Sequence, residues 1–186
     1  MRDRIKGVVL RATISRAGGH EDAIQHLLAC YEETSCGEHL FDACSIMAQH
    51  DLWGRVSEYV EALVTSVGTA ESIRLCSIAL FNNGAYQQAL DLIETHKGVF
   101  PSEKPTYDLR TIQVRCRIHL GQVKDAVADA RVLYGQDPST WNLCLYVDTL
   151  SRKGDFATLE GLARNVASDG SLPADTTLFI CDHIKS

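Results

Sequence analysis

No apolar run in the 186 residues approaches the ~18 that a bilayer-spanning helix needs, so no membrane partner is expected. Basic charge is in deficit: 18 Lys and Arg stand against 24 Asp and Glu, giving a formal net charge of −6 and a pI of about 5.6. That balance disfavours a nucleic-acid binder, whose affinity rests on cations neutralising phosphates, while leaving room for a local basic patch. Cys-x-x-Cys is absent, and the seven cysteines (Cys30, Cys36, Cys44, Cys76, Cys116, Cys144 and Cys181) make an odd count. Most fall in apolar helical patterns, where a free thiol packs as a small hydrophobe, so a reducing cytoplasm is the expected setting. Cys30, Cys36 and Cys44 with His39 match no zinc-ligand spacing, and no metal or cofactor is expected.

Chemistry is missing as well. There is no phosphate-cradling glycine loop, dinucleotide fingerprint, zinc-protease helix or nucleophile elbow. Cys116 and His119 share a helical face, but neither an oxyanion donor nor an orienting carboxylate can be identified for them. A non-catalytic chain is expected. Sustained period-two alternation between hairpin turns is lacking, which argues against strands and for an all-α fold.

What the sequence does contain is a period. Small or turn-forming residues recur at Gly18, Asp51, Gly84, Gly121 and Gly154, at intervals of 33, 33, 37 and 33 residues. Two positions after each stands His20, Trp53, Tyr86, Val123 or Phe156, and five after each stands Ala23, Val56, Ala89, Ala126 or Leu159. Such a period marks stacked helical hairpins, none of which buries its apolar face alone. The A helices before the turns are expected over 3–16, 38–49, 70–82, 106–119 and 140–152. The B helices after them are expected over 20–33, 53–66, 86–97, 123–135 and 156–168, with a last A-type helix over 174–185. Residues 1–186 then form a single elongated domain. The basic flank at the N-terminus precedes an apolar run of only three residues, too short for a signal-peptide core, and fits the first helix of the array.

Helical spacing supports the scheme in Ile73, Cys76, Leu80 and in Leu143, Tyr146, Val147, Leu150. Asp137-Pro138-Ser139 ends one helix and offers a cap to the next. The long interval falls near Gly98–Pro105, where two prolines and a glycine stop any helix. That segment is either a longer inter-repeat loop or a ligand-touching loop with Phe100 exposed. Bulky Trp53, Tyr86 and Phe156 are expected to fill the wedges between hairpins, and the small residues at Ala23, Ala89 and Ala126 to let helices approach closely.

Gly84-Ala85-Tyr86-Gln87-Gln88-Ala89-Leu90, Gly121-Gln122-Val123-Lys124-Asp125-Ala126-Val127 and Gly154-Asp155-Phe156, with Pro138 at a repeat end, resemble the tetratricopeptide repeat (TPR). Its unit is a helix–turn–helix of about 34 residues. The chain departs from it in a period of mostly 33, in Asp51 at the second turn and in Leu159 where alanine is usual. The fourth unit also places Arg110, Gln113 and Arg117 where apolar residues are expected.

The resemblance implies a right-handed α-solenoid of about five hairpins plus a terminal helix, with A helices lining a concave groove. It directs Phe41, Arg74, Asn82, Arg115, His119, Trp141, Asp148 and Arg152 into that groove as the partner-binding set, along with Glu38, Ser45, Gln49, Glu71, Ile78, Asp108, Thr111 and Cys144. Arg74, Arg115 and Arg152 then form a basic stripe for an acidic peptide, or are neutralised along a solvated face by Glu71, Asp108 and Asp148. Phe41 and Trp141 would anchor apolar side chains. The two-lysine, two-asparagine set that clamps a peptide carboxylate in some members is absent.

The implied function is a protein–protein interaction scaffold holding a peptide or partner protein. The alternative is a regulatory or sensor module of a larger multidomain protein, binding a small peptide or metabolite. The last helix carries Leu178, Phe179, Ile180, Cys181 and Ile184 on more than one side. From this we expect either a longer native chain or self-association through the C-terminal helix.

Overall fold

The repeat dictates where the chain must reverse, and the backbone reverses there by one recurring device. The computed structural model describes residues 19–100 and 107–169. Among them lie ten α-helices and no strand. In chain order they are α1 (His20–Thr34), α2 (Gly37–Gln49), α3 (Trp53–Glu58), α4 (Val60–Ser66), α5 (Ala70–Asn82), α6 (Tyr86–Thr95), α7 (Tyr107–His119), α8 (Val123–Gln136), α9 (Thr140–Lys153) and α10 (Phe156–Asp169). A single 3-10 turn, Lys97–Val99, follows α6. The helices expected over 3–16 and 174–185, the turn at Gly18, Cys181 and residues 101–105 of the proline-bearing loop lie outside the described residues.

Asp51, Gly84, Gly121 and Gly154 each take left-handed backbone, with φ of 56, 77, 72 and 73°. At each, the following amide reaches back five residues into the A helix. Leu52 N bonds Met47 O at 2.9 Å, Ala85 N bonds Leu80 O at 2.9 Å, Gln122 N bonds Arg117 O at 2.8 Å and Asp155 N bonds Leu150 O at 3.0 Å. This is the Schellman closure, which satisfies carbonyls that a helix end otherwise leaves unpaired. Nothing lies within 4 Å of where a Cβ would stand at Gly121, so glycine is required there for its backbone and not for room. Asp51 substitutes because a short polar side chain tolerates this region, and its Oδ1 accepts from the Trp53 indole N–H at 3.2 Å.

Each B helix begins on the carbonyl just past the turn. Val56 N bonds Leu52 O and Ala89 N bonds Ala85 O, while Ala126 N and Leu159 N bond Gln122 O and Asp155 O, all at 3.0–3.2 Å. The same four side chains, with Ala23, are wholly buried. The B helix expected over 53–66 is interrupted: α3 and α4 meet at Tyr59, whose φ is −103° and ψ 7°. Ser57 Oγ donates to Gly54 O at 2.6 Å, competing for a carbonyl of the helical ladder beside a glycine, a recognised cause of such bends.

The chain divides into two compact units, Met1–Ser102 and Glu103–Ser186, with the boundary in the long interval. In the first, α1 packs on α2, α2 on α3 to α5, and α5 on α3, α4 and α6. Its core includes Ile24, Leu40, Ile46, Met47, Val56, Leu63 and Cys76. Gly37 admits the start of α2 against the end of α4, since a Cβ there would stand 2.9 Å from Ser66 O and from Val67 Cγ2. Thr69 caps α5 by accepting from Ser72 N at 3.3 Å.

In the second unit α7, α8, α9 and α10 pack in sequence around Val114, Ala126, Ala130, Leu133, Leu143, Val147, Leu150 and Leu159. Ser139 caps α9 by accepting from Asn142 N at 3.4 Å. Arg117 pairs with Asp129 and Arg110 bonds Gln136, both on α8. Two of the three polar residues of α7 that depart from the repeat pattern therefore tie it to its hairpin partner.

The wedge positions divide. Trp53, Tyr86 and Val123 are half-buried, with Tyr86 tilted against Phe81 at 5.5 Å. Phe156, expected in a wedge, is 42% exposed on the first turn of α10, and His20 is exposed with its ring stacked on His50 at 4.0 Å. Phe100, expected as exposed if its loop touches ligand, is half-buried.

Candidate functional site

Helix α9 shows how burial selects a surface. Asn142, Leu143, Leu145, Tyr146, Val147, Thr149 and Leu150 are all buried, covering most of the helix circumference. Between residues 141 and 150 only Trp141, Cys144 and Asp148 escape burial, and Arg152 continues their stripe at spacings of three, four and four residues. Those intervals keep all four on one helical face. Trp141 is 57% exposed, unusual for the largest side chain in the alphabet. Arg152 Nε lies 3.1 Å from both carboxylate oxygens of Asp148 one turn earlier.

Helix α7 supplies the other side of this face. Leu109, Ile112 and Cys116 are buried, as are Val114 and Thr111, so Thr111 does not present itself as a groove residue. Arg115 is half-buried and His119, at the helix end, is exposed. The guanidinium of Arg115 lies over the Trp141 ring at 5.1 Å from the centroid. A guanidinium stacked on an indole still points its N–H donors outward in its own plane, where a carboxylate can be met edge-on.

Of the eight expected binding residues, Arg115 with Trp141 and Asp148 with Arg152 are brought together in the second unit, with His119 on α7. Phe41, Arg74 and Asn82 belong to the first unit. There Phe41 is half-buried against the core, Arg74 is half-buried and Asn82 is exposed. Of the arginines expected to form a basic stripe, those of the second unit are engaged: Arg152 is held by Asp148 and Arg115 by Trp141.

The thiols are built for packing. Burial pushes the Cys44 and Cys76 thiols up to about 12 and that of Cys116 to about 11, so all three stay protonated near neutrality. Cys116 beside His119 therefore carries no thiolate for nucleophilic work. No group of three or more His, Cys, Asp or Glu side chains among the described residues is arranged to hold a metal ion. No helix among them is long and apolar enough to cross a membrane.

A cleft of about 490 Å³ lies in the first unit, bordered by α3, α4 and α6, and the sequence singles out none of its polar residues. The signal available in the sequence was the pair Glu58 and Glu61, like charges three residues apart.

No family model and no curated protein matches the sequence. Among solved structures the chain is similar to a thermophilic TPR protein of Thermus thermophilus. The two share 15% identity over 97% of this chain and 100% of that one, with a TM-score of 0.59. Likeness at that identity carries the fold alone: the chain has a TPR-like helical-repeat fold of the α-solenoid class.

Proposed function

We propose that the chain is a non-catalytic protein–protein interaction scaffold, acting in the cytoplasm with residues 1–186 as one module, and that it receives an acidic peptide or partner segment on its A-helix faces. The observation that carries this reading is Trp141, 57% exposed on a helix whose middle turns are largely buried, with Arg115 laid on its ring. An exposed tryptophan flanked by arginine is the composition of a binding hot spot, where a rigid aromatic fills a partner's apolar pocket and the cation pairs with a carboxylate. His119 and the Asp148–Arg152 pair border this anchor. Phe41, Arg74 and Asn82 offer the corresponding positions in the first unit. Free thiols at Cys30, Cys36, Cys44, Cys76, Cys116 and Cys144 accord with a reducing compartment.

Selection from a displayed peptide library tests the reading. Wild type is expected to enrich peptides that combine acidic with apolar residues, and Arg115→Glu/Trp141→Ala to lose them while keeping its melting temperature. Enriched peptides that bind both proteins equally would remove this face from the function, and a failure to enrich any peptide would remove the scaffold reading itself.

A further inference from the structure

The cleft in the first unit has a floor and a rim of different chemistry. Val60, Leu80 and Leu92 give it apolar surface, while Glu58, Glu61 and Asp91 place three carboxylates around it. Glu58 and Glu61 flank the Tyr59 break, so like charges three residues apart stand on one wall of the opening. Among the described residues no lysine or arginine lines the cleft, and His96 is its one basic side chain. Arg55, earlier on α3, is committed elsewhere: it pairs with Glu21 at 2.7 Å. Asp91 is held in place from its own helix, accepting from Gln87 Nε2 at 2.8 Å.

We infer that this cleft docks a basic segment of a partner protein. An arginine or lysine of that segment lays its aliphatic stem along Val60, Leu80 and Leu92 and sets its cationic head among Glu58, Glu61 and Asp91. Long basic side chains divide in this way between an apolar stem and a charged tip, and a cation there relieves the repulsion between the two glutamates. The surface is of opposite charge preference to the Arg115–Trp141 face and stands whether or not that face binds its own ligand.

The probe is a capped fluorescent peptide of alternating arginine and leucine, titrated by anisotropy into the full chain. Glu58→Gln/Glu61→Gln is expected to weaken binding at least about tenfold, the scale of losing a charge-assisted contact. Asp22→Asn/Glu33→Gln removes the same charge from α1 of the same unit and is expected to leave binding unchanged. Amide chemical shifts of the wild type are expected to move at Val60, Leu80 and Leu92, a readout that needs no variant to fold. Equal weakening in both double variants, shifts confined to other residues, or no binding by the wild type would each overturn the inference. So would spermidine displacing the peptide at equal concentration, which would make the cleft a polyamine site.

Discussion

Arg115 on α7 holds its guanidinium 5.1 Å above the ring of Trp141 on α9, so two A-type helices of the second unit are joined at their surface by a cation and an indole. The contact is exposed, and exposed cation–π pairs contribute only about 0.5–1 kcal/mol. Trp141→Ala is therefore expected to shift unfolding by less than about 1 kcal/mol while removing peptide binding. Urea denaturation alongside peptide titration checks it; a large stability loss would mark Trp141 as a core residue.

Leu150 presents the opposite case, with 1% of its surface exposed at the centre of the second unit. Leu150→Ala is expected to cost about 2–5 kcal/mol from lost burial and the cavity left behind. Chemical denaturation reads this directly.

Gly121 sits at φ 72° with open space around its missing Cβ. Gly121→Ala is expected to destabilise by about 1–2 kcal/mol, the cost of left-handed backbone for a residue with a Cβ. A neutral or stabilising result, measured by thermal unfolding, would show that the turn can close without that conformation.

Gly37 makes a different demand. Its backbone is ordinary for a helix, so propensity alone favours Gly37→Ala, yet the new methyl would meet Ser66 O and Val67 Cγ2 at 2.9 Å. Overpacking is expected to win, with a loss of about 1–3 kcal/mol in the same assay.

The buried thiols predict alkaline weakening. Unfolded cysteines ionise near their ordinary value of 9, whereas folded Cys44 and Cys76 hold their protons to about 12. Between those values the unfolded chain binds fewer protons than the native one, so stability falls as pH rises. Below 9 both states are protonated and the thiols contribute no pH dependence. Cys44→Ala/Cys76→Ala is expected to flatten the decline in unfolding free energy above about pH 9, whatever the cavities cost in absolute stability.

The turns were legible because a left-handed residue is a property of one position: Gly84, Gly121 and Gly154 announce themselves, and the interval of 33 extends the reading to Asp51. Helix limits followed, with α5 and α9 within a residue of expectation. The break at Tyr59 was not legible, since it turns on one rotamer of Ser57 reaching Gly54 O. Nor were the partners of Arg110 and Arg117, which depend on how α8 faces α7. For the candidate site, periodicity placed Trp141, Cys144, Asp148 and Arg152 on one stripe, but it could not decide between a groove cation and an intrahelical pair for Arg152. The acidic cleft escaped because its walls come from successive hairpins: Glu58 and Asp91 stand one 33-residue interval apart, but that spacing alone does not say that the two border one opening.

Among the described residues each reversal from an A to a B helix is sealed by a bond spanning five residues, from Leu52 to Met47, Ala85 to Leu80, Gln122 to Arg117 and Asp155 to Leu150. Order in one hairpin thus forms without waiting for distant stretches of polypeptide to meet. Local contacts of this kind cost little loop-closure entropy, and chains rich in them fold fast. It also lets a duplication or deletion of one thirty-three-residue module be absorbed with its own reversal already encoded, a route by which such arrays change length.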